Sequence, residues 1–376
     1  MLTLERILTR EAFARLEPEW DALLVQSAAD TITLTFDWLS TWWDVFGEDR
    51  ELMILIARDS GGELIGIAPL LKRTVQHFGV LPFKRLEFIA SGEDEADEIC
   101  SEYLDFIIKQ GREAEVLGAM LEHLISQDSE WDEMVLTDIL EESPSISILR
   151  NACEDAAMSW RILKTQHCIF LPLPRTWDEF LKGLSRGYRH KITRDWRAAS
   201  SLDTELVVVD KPDDFANGFD TLVRLHQSRW IEKGRPGVFS SEKFTRFHTR
   251  LAAKLLPKGR LRIFILNLNG EPLAALYDFI YGRKVFYYQS GLKIADTPIH
   301  SPGILIRSYA MEVAIEEKLT ECDFMKGDPA GYKSGWQGKL RGILQVRLAR
   351  AQSKEAIYNT TSKVIASLRS IKRAVS

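Results

Sequence analysis

The sequence reads as an α/β protein made of two copies of one unit, each a hairpin-bearing sheet with helices against it. Length is the first reason: 376 residues are more than one hydrophobic core usually serves. The second is a weak internal repeat. Leu52-Met-Ile-Leu-Ile-Ala, a glycine turn and Glu63-Leu-Ile-Gly-Ile-Ala-Pro-Leu in the first half answer to Leu261-Arg-Ile-Phe-Ile-Leu, Asn-Gly and Glu271-Pro-Leu-Ala-Ala-Leu in the second. The third is the alternation of helical and strand periods along the chain.

In order, 3–26 is expected to be helical, with Leu16, Trp20, Leu23 and Leu24 at helical spacing, and 37–46 forms a second, aromatic helix. The segments 52–58 and 64–72 make a hairpin about Ser60-Gly61-Gly62. A strand at 85–89, a helix at 113–126, a strand at 133–137, a helix at 145–157 and a strand at 168–172 follow. The second unit opens with helices at 176–184 and 186–200. A valine-rich strand at 205–209 and helices at 213–233 and 241–256 come next, the last capped by Ser240 or Ser241. Three antiparallel strands (261–267, 272–281, 283–290), a helix at 304–318 and strands at 321–325 and 343–350 complete it. This divides the chain into 1–165, 166–350 and a basic tail, 351–376.

Composition narrows the function. The chain is 45% hydrophobic and 27% charged, as in a globular protein with a substantial core. No run of 18 apolar residues suggests a spanning helix, and the N-terminus lacks a signal-peptide pattern, so a cytoplasmic protein is expected. The four cysteines and seven histidines have no metal-ligand spacing, and no metal is expected. The formal net charge of −5 does not suggest bulk nucleic-acid binding, and no DNA partner is expected. The charge is nonetheless uneven. Residues 91–105 are acidic, 182–197 are basic, and so is the tail. Such blocks are usually solvated faces. The tail could also meet a membrane surface or an anionic regulatory nucleotide.

The most informative segment is 323–336, Asp-Phe-Met-Lys-Gly-Asp-Pro-Ala-Gly-Tyr-Lys-Ser-Gly-Trp, just after an amphipathic helix. Upstream, Phe286-Tyr287-Tyr288-Gln289-Ser290-Gly291 reads as a strand, and Ser301-Pro302-Gly303 opens the helix. Proline suits a first helical turn, and glycine lets the backbone approach a ligand. N–H groups at Gly303, Ile304 and Leu305 could then hold phosphate.

These motifs, with Phe36-Asp37-Trp38, Trp42-Trp43, the basic helix around Arg186, Arg189, Lys191 and Arg194, and Leu225-His226 with Arg229-Trp230, occur in an order and spacing that resembles a known family. It is that of the GNAT-type acyltransferases of the CelD/BcsL group, tandem GNAT proteins related to the FemABX peptidyltransferases. The resemblance implies an α/β (α+β) fold of two GNAT-like domains with mixed, mostly antiparallel central sheets flanked by helices. It implies transfer from an acyl-CoA, most simply acetyl-CoA, to an amine or hydroxyl of a sugar or polysaccharide precursor. The donor site would be in the second domain, since the first has no counterpart of Ser301-Pro302-Gly303. One departure leaves the donor open: the usual pyrophosphate loop carries more glycines, and FemABX relatives use aminoacyl-tRNA. The alternatives are a Fem-like aminoacyl or peptidyl transferase using charged tRNA and a non-catalytic regulator that binds an anionic ligand through 186–197 or the tail.

Within that frame Gln289, Ser290, Gly291, Ser301, Gly303, Ile304 and Leu305 are the expected donor contacts. Acyl transfer needs a proton acceptor and oxyanion donors. Asp328 is the first choice of base and His226 the second, and Tyr332 could protonate a leaving thiolate. Lys326, Lys333 and Arg189 suit an anionic substrate group, and Arg229 and Trp230 suit a sugar. Direct transfer is favoured, because no serine or cysteine stands beside an obvious base.

Overall fold

The computed structural model describes residues 2–126, 130–293, 297–327, 335–350 and 354–364. The first half runs β1 (Thr3–Ile7), α1 (Arg10–Ala14), α2 (Glu17–Leu24), α3 (Phe36–Phe46), β2 (Glu51–Leu52), β3 (Ile54–Arg58), β4 (Leu64–Ala68), β5 (Leu70–His77), β6 (Leu81–Phe88), β7 (Ile107–Ile108), α4 (Glu113–Ser126), β8 (Glu133–Leu140), α5 (Pro144–Asp155) and β9 (Ser159–Pro172). The second half runs α6 (Trp177–Gly183), α7 (Arg186–Ser200), β10 (Thr204–Val209), α8 (Pro212–Glu232), α9 (Glu242–Leu255), β11 (Leu261–Leu268), β12 (Glu271–Tyr281), β13 (Lys284–Leu292), α10 (Pro302–Glu316), β14 (Glu321–Lys326) and β15 (Lys339–Ala349). Helical turns cover 354–364.

The strands form two sheets. One has the order β1-β3-β4-β7, and the other is continuous across both halves, in the order β10-β11-β12-β13-β14-β9-β15-β8-β6-β5-β2. Pairing is antiparallel except between β13 and β14 and between β6 and β8. This is the mixed, mostly antiparallel, helix-flanked architecture expected. Both hairpins of the repeat form, but β3–β4 lies in the small sheet and β11–β12 in the large one.

Four segments differ from expectation. Residues 3–7 are a strand pairing with β3, and the expected long helix begins only at Arg10 and breaks again before Pro18, which sits in the first turn of α2. Pro69, which has no N–H for a ladder, separates β4 from β5, and the chain changes sheets there. β5 and β6 then form a full hairpin closed by Phe78 and Gly79, both in left-handed backbone. β9 extends back to Ser159, through the 165/166 division, because its first half pairs with β15; with half-buried or exposed side chains there, both polar and apolar, no inside–outside period marks it.

The N-terminal half packs on the α9 face of the second half. Trp38 of α3 has ring contacts with Phe247 at 5.3 Å and Phe279 at 5.2 Å, so the aromatic helix serves the contact between the halves as well as its own core. A second core lies on the opposite face of the C-terminal sheet, under α6, α7 and α10. The helical turns at 354–364 dock back on the first half. Arg347 of β15, almost fully buried, pairs with Glu133 at 2.5 Å and with Glu355 at 2.7 Å, and its guanidinium lies over the Tyr358 ring.

Candidate active site

The site begins where two parallel strands part. β13 and β14 pair only at Lys284–Glu321, Val285–Cys322 and Phe286–Asp323. Beyond that point β14 bends toward β9, with a register shift between Asp323 and Lys326 and Met325 in left-handed backbone (φ 58°). The buried Asp323 carboxylate holds the bend. It accepts from Met325 N–H at 2.7 Å, from the Tyr103 hydroxyl at 2.6 Å and from Arg341 at 3.2 Å. Tyr103 comes from the first half, so both halves fix the fork.

β13 is shaped from its other side. Its pairing with β12 slips at Tyr277/Asp278, and the buried Asp278 receives Arg307 of α10 through two hydrogen bonds, at 2.7 and 2.9 Å. Arg307 also lies 3.9 Å over the Tyr287 ring. At the strand end Gly291 meets α8 so closely that a Cβ would stand 2.7 Å from His226 N and 2.9 Å from the Leu222 carbonyl oxygen. Those atoms are backbone and cannot swing aside. Gly291→Ala is therefore expected to cost about 1–3 kcal/mol, read as a lower midpoint in urea unfolding; an unchanged midpoint would show that α8 shifts freely.

The fork opens into a cleft of about 1060 Å³ between the halves. Its C-terminal side is made by Tyr288, Gln289, Phe324 and Lys326, and its N-terminal side by the loop 90–102, with Thr137, Asp138 and Gln345 on the sheet floor. Five non-glycine residues in left-handed backbone, Ala90, Cys100, Tyr103, Asp138 and Met325, lie in this wall or beside it. Such strained positions gather where surrounding structure over-determines them, often at functional sites.

The chemistry of the cleft is acidic. Glu102 is 1% exposed; one of its carboxylate oxygens accepts from Lys326 N–H at 3.3 Å, and the other, Oε2, has no hydrogen-bond partner among the described residues. Burial pushes its carboxyl up to about 8, with Lys326 pulling the other way. The Lys326 ammonium, 3.0 Å from Asp138, is lowered by burial but held well above the usual lysine value by Glu102 and Asp138. Burial also raises Glu93 to about 7, although the Trp42 indole N–H donates to it. A buried carboxylate with a vacant acceptor oxygen, titrating near neutrality beside a cleft, can take a proton from a bound donor group.

The structure brings together only some of the residues expected to act. Gln289 and Lys326 line the cleft, although the Gln289 side chain accepts from Ser290 N–H and the Ser290 hydroxyl from Tyr287. The start of α10 is largely committed. Ser301 N–H donates to the buried Asp195 carboxylate at 3.0 Å, and the N–H groups of Ile304 and Leu305 both donate to the Ser301 carbonyl. Gly303 N–H alone of the three expected phosphate donors has no partner among the described residues. His226 is buried under Phe239, bonded to Gln227 and lowered by burial to about 4, so it stays neutral away from the cleft lining. Arg229, Trp230 and Arg189 do not line the cleft either; Lys233 lies over Trp230, and Arg189 reaches the Leu184 carbonyl. Asp328, Tyr332 and Lys333 lie outside the described residues.

Glu93, Glu102 and Asp138 were not singled out from the sequence, where 91–105 reads as a solvated acidic face. The available signal was the apolar side chains interleaved with its acids, Ile99, Tyr103 and Leu104, which are buried and draw the carboxylates inward. Among the described residues no cluster of His, Cys, Asp and Glu could hold a metal ion, and no helix is long and apolar enough to cross a membrane.

Residues 186–334 match the family model for the acetyltransferase (GNAT) domain, and the second half thus carries an acyltransferase domain. No curated protein matches the sequence. Among solved structures the chain is similar to FemX, with a TM-score of 0.65 at 14% identity over 95% of this chain and 99% of that one. It is also similar to a conserved protein of unknown function from Bacteroides thetaiotaomicron VPI-5482, with a TM-score of 0.52 at 13% identity over 93% and 99% of the two chains. A tandem GNAT protein from the clavulanic acid biosynthesis pathway aligns over 93% of this chain and 99% of its own, at 12% identity and a TM-score of 0.45. At these identities the first two likenesses speak for the fold.

Proposed function

We propose that the protein transfers an acyl group from acyl-CoA, most simply acetyl-CoA, directly to an amine or hydroxyl of a sugar or polysaccharide precursor held in the cleft. The observation that carries this reading is the position of Glu102, a buried carboxylate with one unpaired oxygen, at the fork between β13 and β14. The unpaired strand edges beyond Phe286 and Asp323 offer backbone groups to the donor's pantetheine arm. Glu102 takes the proton as the acceptor nitrogen or oxygen attacks the thioester carbonyl, and the thiolate of CoA leaves. The charged Lys326 ammonium, in the same wall, favours the Glu102 carboxylate over its acid and so tunes the base. The acidic lining suits an acceptor that presents N–H or O–H donors.

A second reading is favoured by the committed start of α10. Three of its first four N–H positions are used internally or absent, through Asp195, Pro302 and the Ser301 carbonyl. An aminoacyl ester on tRNA would enter the same fork without needing a pyrophosphate cradle there. Calorimetric titration with acetyl-CoA separates the two. Wild type and Glu102→Gln are expected to bind alike, since Glu102 acts on the acceptor side. If neither binds acetyl-CoA or a longer acyl-CoA while the protein protects aminoacyl-tRNA from hydrolysis, the CoA reading fails and the tRNA reading takes its place.

A further inference from the structure

Eleven large apolar side chains are exposed among the described residues, and five of them (Phe78, Val80, Leu163, Ile357 and Val364) belong to three elements that meet at one ring, Tyr358. Phe78, in the turn between β5 and β6, lies 5.5 Å from that ring, and Arg161 of β9 lies 5.8 Å over it. Tyr358 itself belongs to the helical turns at 354–364, where Ile357 and Val364, seven residues apart, share a face. Val80 is 81% exposed, at the hairpin tip.

The charge on these elements is one-sided. Residues 76–84, 159–172 and 354–364 contain Lys84, Arg161, Lys164, Lys354 and Lys363, and a single carboxylate, Glu355; of the cations, Lys354 is paired with Asp132 of the adjoining loop at 2.7 Å. Glu355 is buried and paired with Arg347, so it shows no negative charge at the surface. The whole chain, by contrast, carries a formal net charge of −5. An exposed apolar tip set in a cationic field, on a protein of opposite net sign, has the complementarity of a surface-bound segment. The apolar side chains enter the acyl boundary while the lysines meet anionic headgroups.

We propose that this face docks on an anionic lipid surface. Lys164 belongs both to it and to the cleft lining, so docking would set the cleft mouth at the headgroup level. Acceptors carried on a lipid would reach Glu102 without leaving the bilayer surface. Docking itself does not depend on the acyl donor, and its test is independent of the catalytic reading.

The test is co-sedimentation of the full chain with phosphatidylcholine vesicles, with and without phosphatidylglycerol, comparing wild type with Val80→Asp/Ile357→Asp. Both substituted side chains are mostly exposed, and an unchanged unfolding midpoint confirms that the variant folds. Wild type is expected to bind the anionic vesicles and release at high salt, and the variant to bind at least about tenfold more weakly. Three results overturn the proposal: no binding to anionic vesicles, equal binding with and without phosphatidylglycerol, or variant binding equal to wild type. A concentration-dependent dimer that the same substitutions dissolve, in the absence of vesicle binding, would assign the face to a second copy of the chain instead.

Discussion

Glu102→Gln is expected to lower kcat by about 10²- to 10⁴-fold while leaving acyl-CoA affinity unchanged, because the loss falls on a proton transfer and not on donor binding. The amide keeps the size and the contact with Lys326 N–H but cannot accept the proton. The pH profile gives the sharper readout. With its carboxyl near 8, Glu102 is largely protonated at neutral pH, so wild-type kcat should rise with pH and level off above about 8. The variant should lack that rise. A parallel effect on stability has the same origin. A carboxyl raised from the ordinary 4.5 holds a proton in the native state that the unfolded chain has released. Its contribution is fully present below about 4.5 and fades as pH climbs through 8, so the thermal midpoint should fall over that window, and fall less in Glu102→Gln. Wild-type pH dependence retained by the variant, in rate and in midpoint alike, would remove Glu102 from the mechanism.

Arg307→Met is expected to destabilise the fold by about 3–5 kcal/mol, since it leaves the Asp278 carboxylate buried and unpaired. Asp278 is fully buried and Arg307 only 3% exposed, so water reaches neither. The double variant Arg307→Met/Asp278→Leu removes both charges and should recover most of the loss, because well-packed apolar side chains can replace a buried ion pair at little cost. Urea unfolding of the two single variants and the double measures this. A double variant no more stable than Arg307→Met would show that the pair fixes the geometry of α10 against β12 and β13 in a way that packing alone does not replace.

Much of the architecture was legible in the sequence for identifiable reasons. The strands with alternating or continuous apolar runs, β3, β11, β12 and β13, were plain, as were the capped helices such as α9, where Ser241 accepts from Phe244 N–H. β1, the first half of β6 and the outer half of β9 were hidden because their stability comes from distant partners and their own side chains are largely polar or exposed, whereas the buried second half of β6 was legible as the strand at 85–89. The site divides along the same line. The fork at β13 and the start of α10 could be placed from local motifs. Glu102 could not, because its character arises from burial against Lys326, far along the chain. His226 looked like a base in isolation, yet the packing of Phe239 over its ring makes it a core residue.

The strand order of the large sheet also bears on how the protein is made. β15 lies between β9 and β8, and Ala349 pairs with both Ser159 and Glu133. During synthesis the first half therefore emerges with a gap in its sheet that only β15 fills, roughly two hundred positions later, and such distant closures are slow. Until β15 has left the ribosome, the facing edges of β8 and β9 stand unpaired, open to any passing strand. β15 is thus a common closing piece of both halves: neither can mature ahead of the other, and the cleft between them comes into being only after β15 has been made.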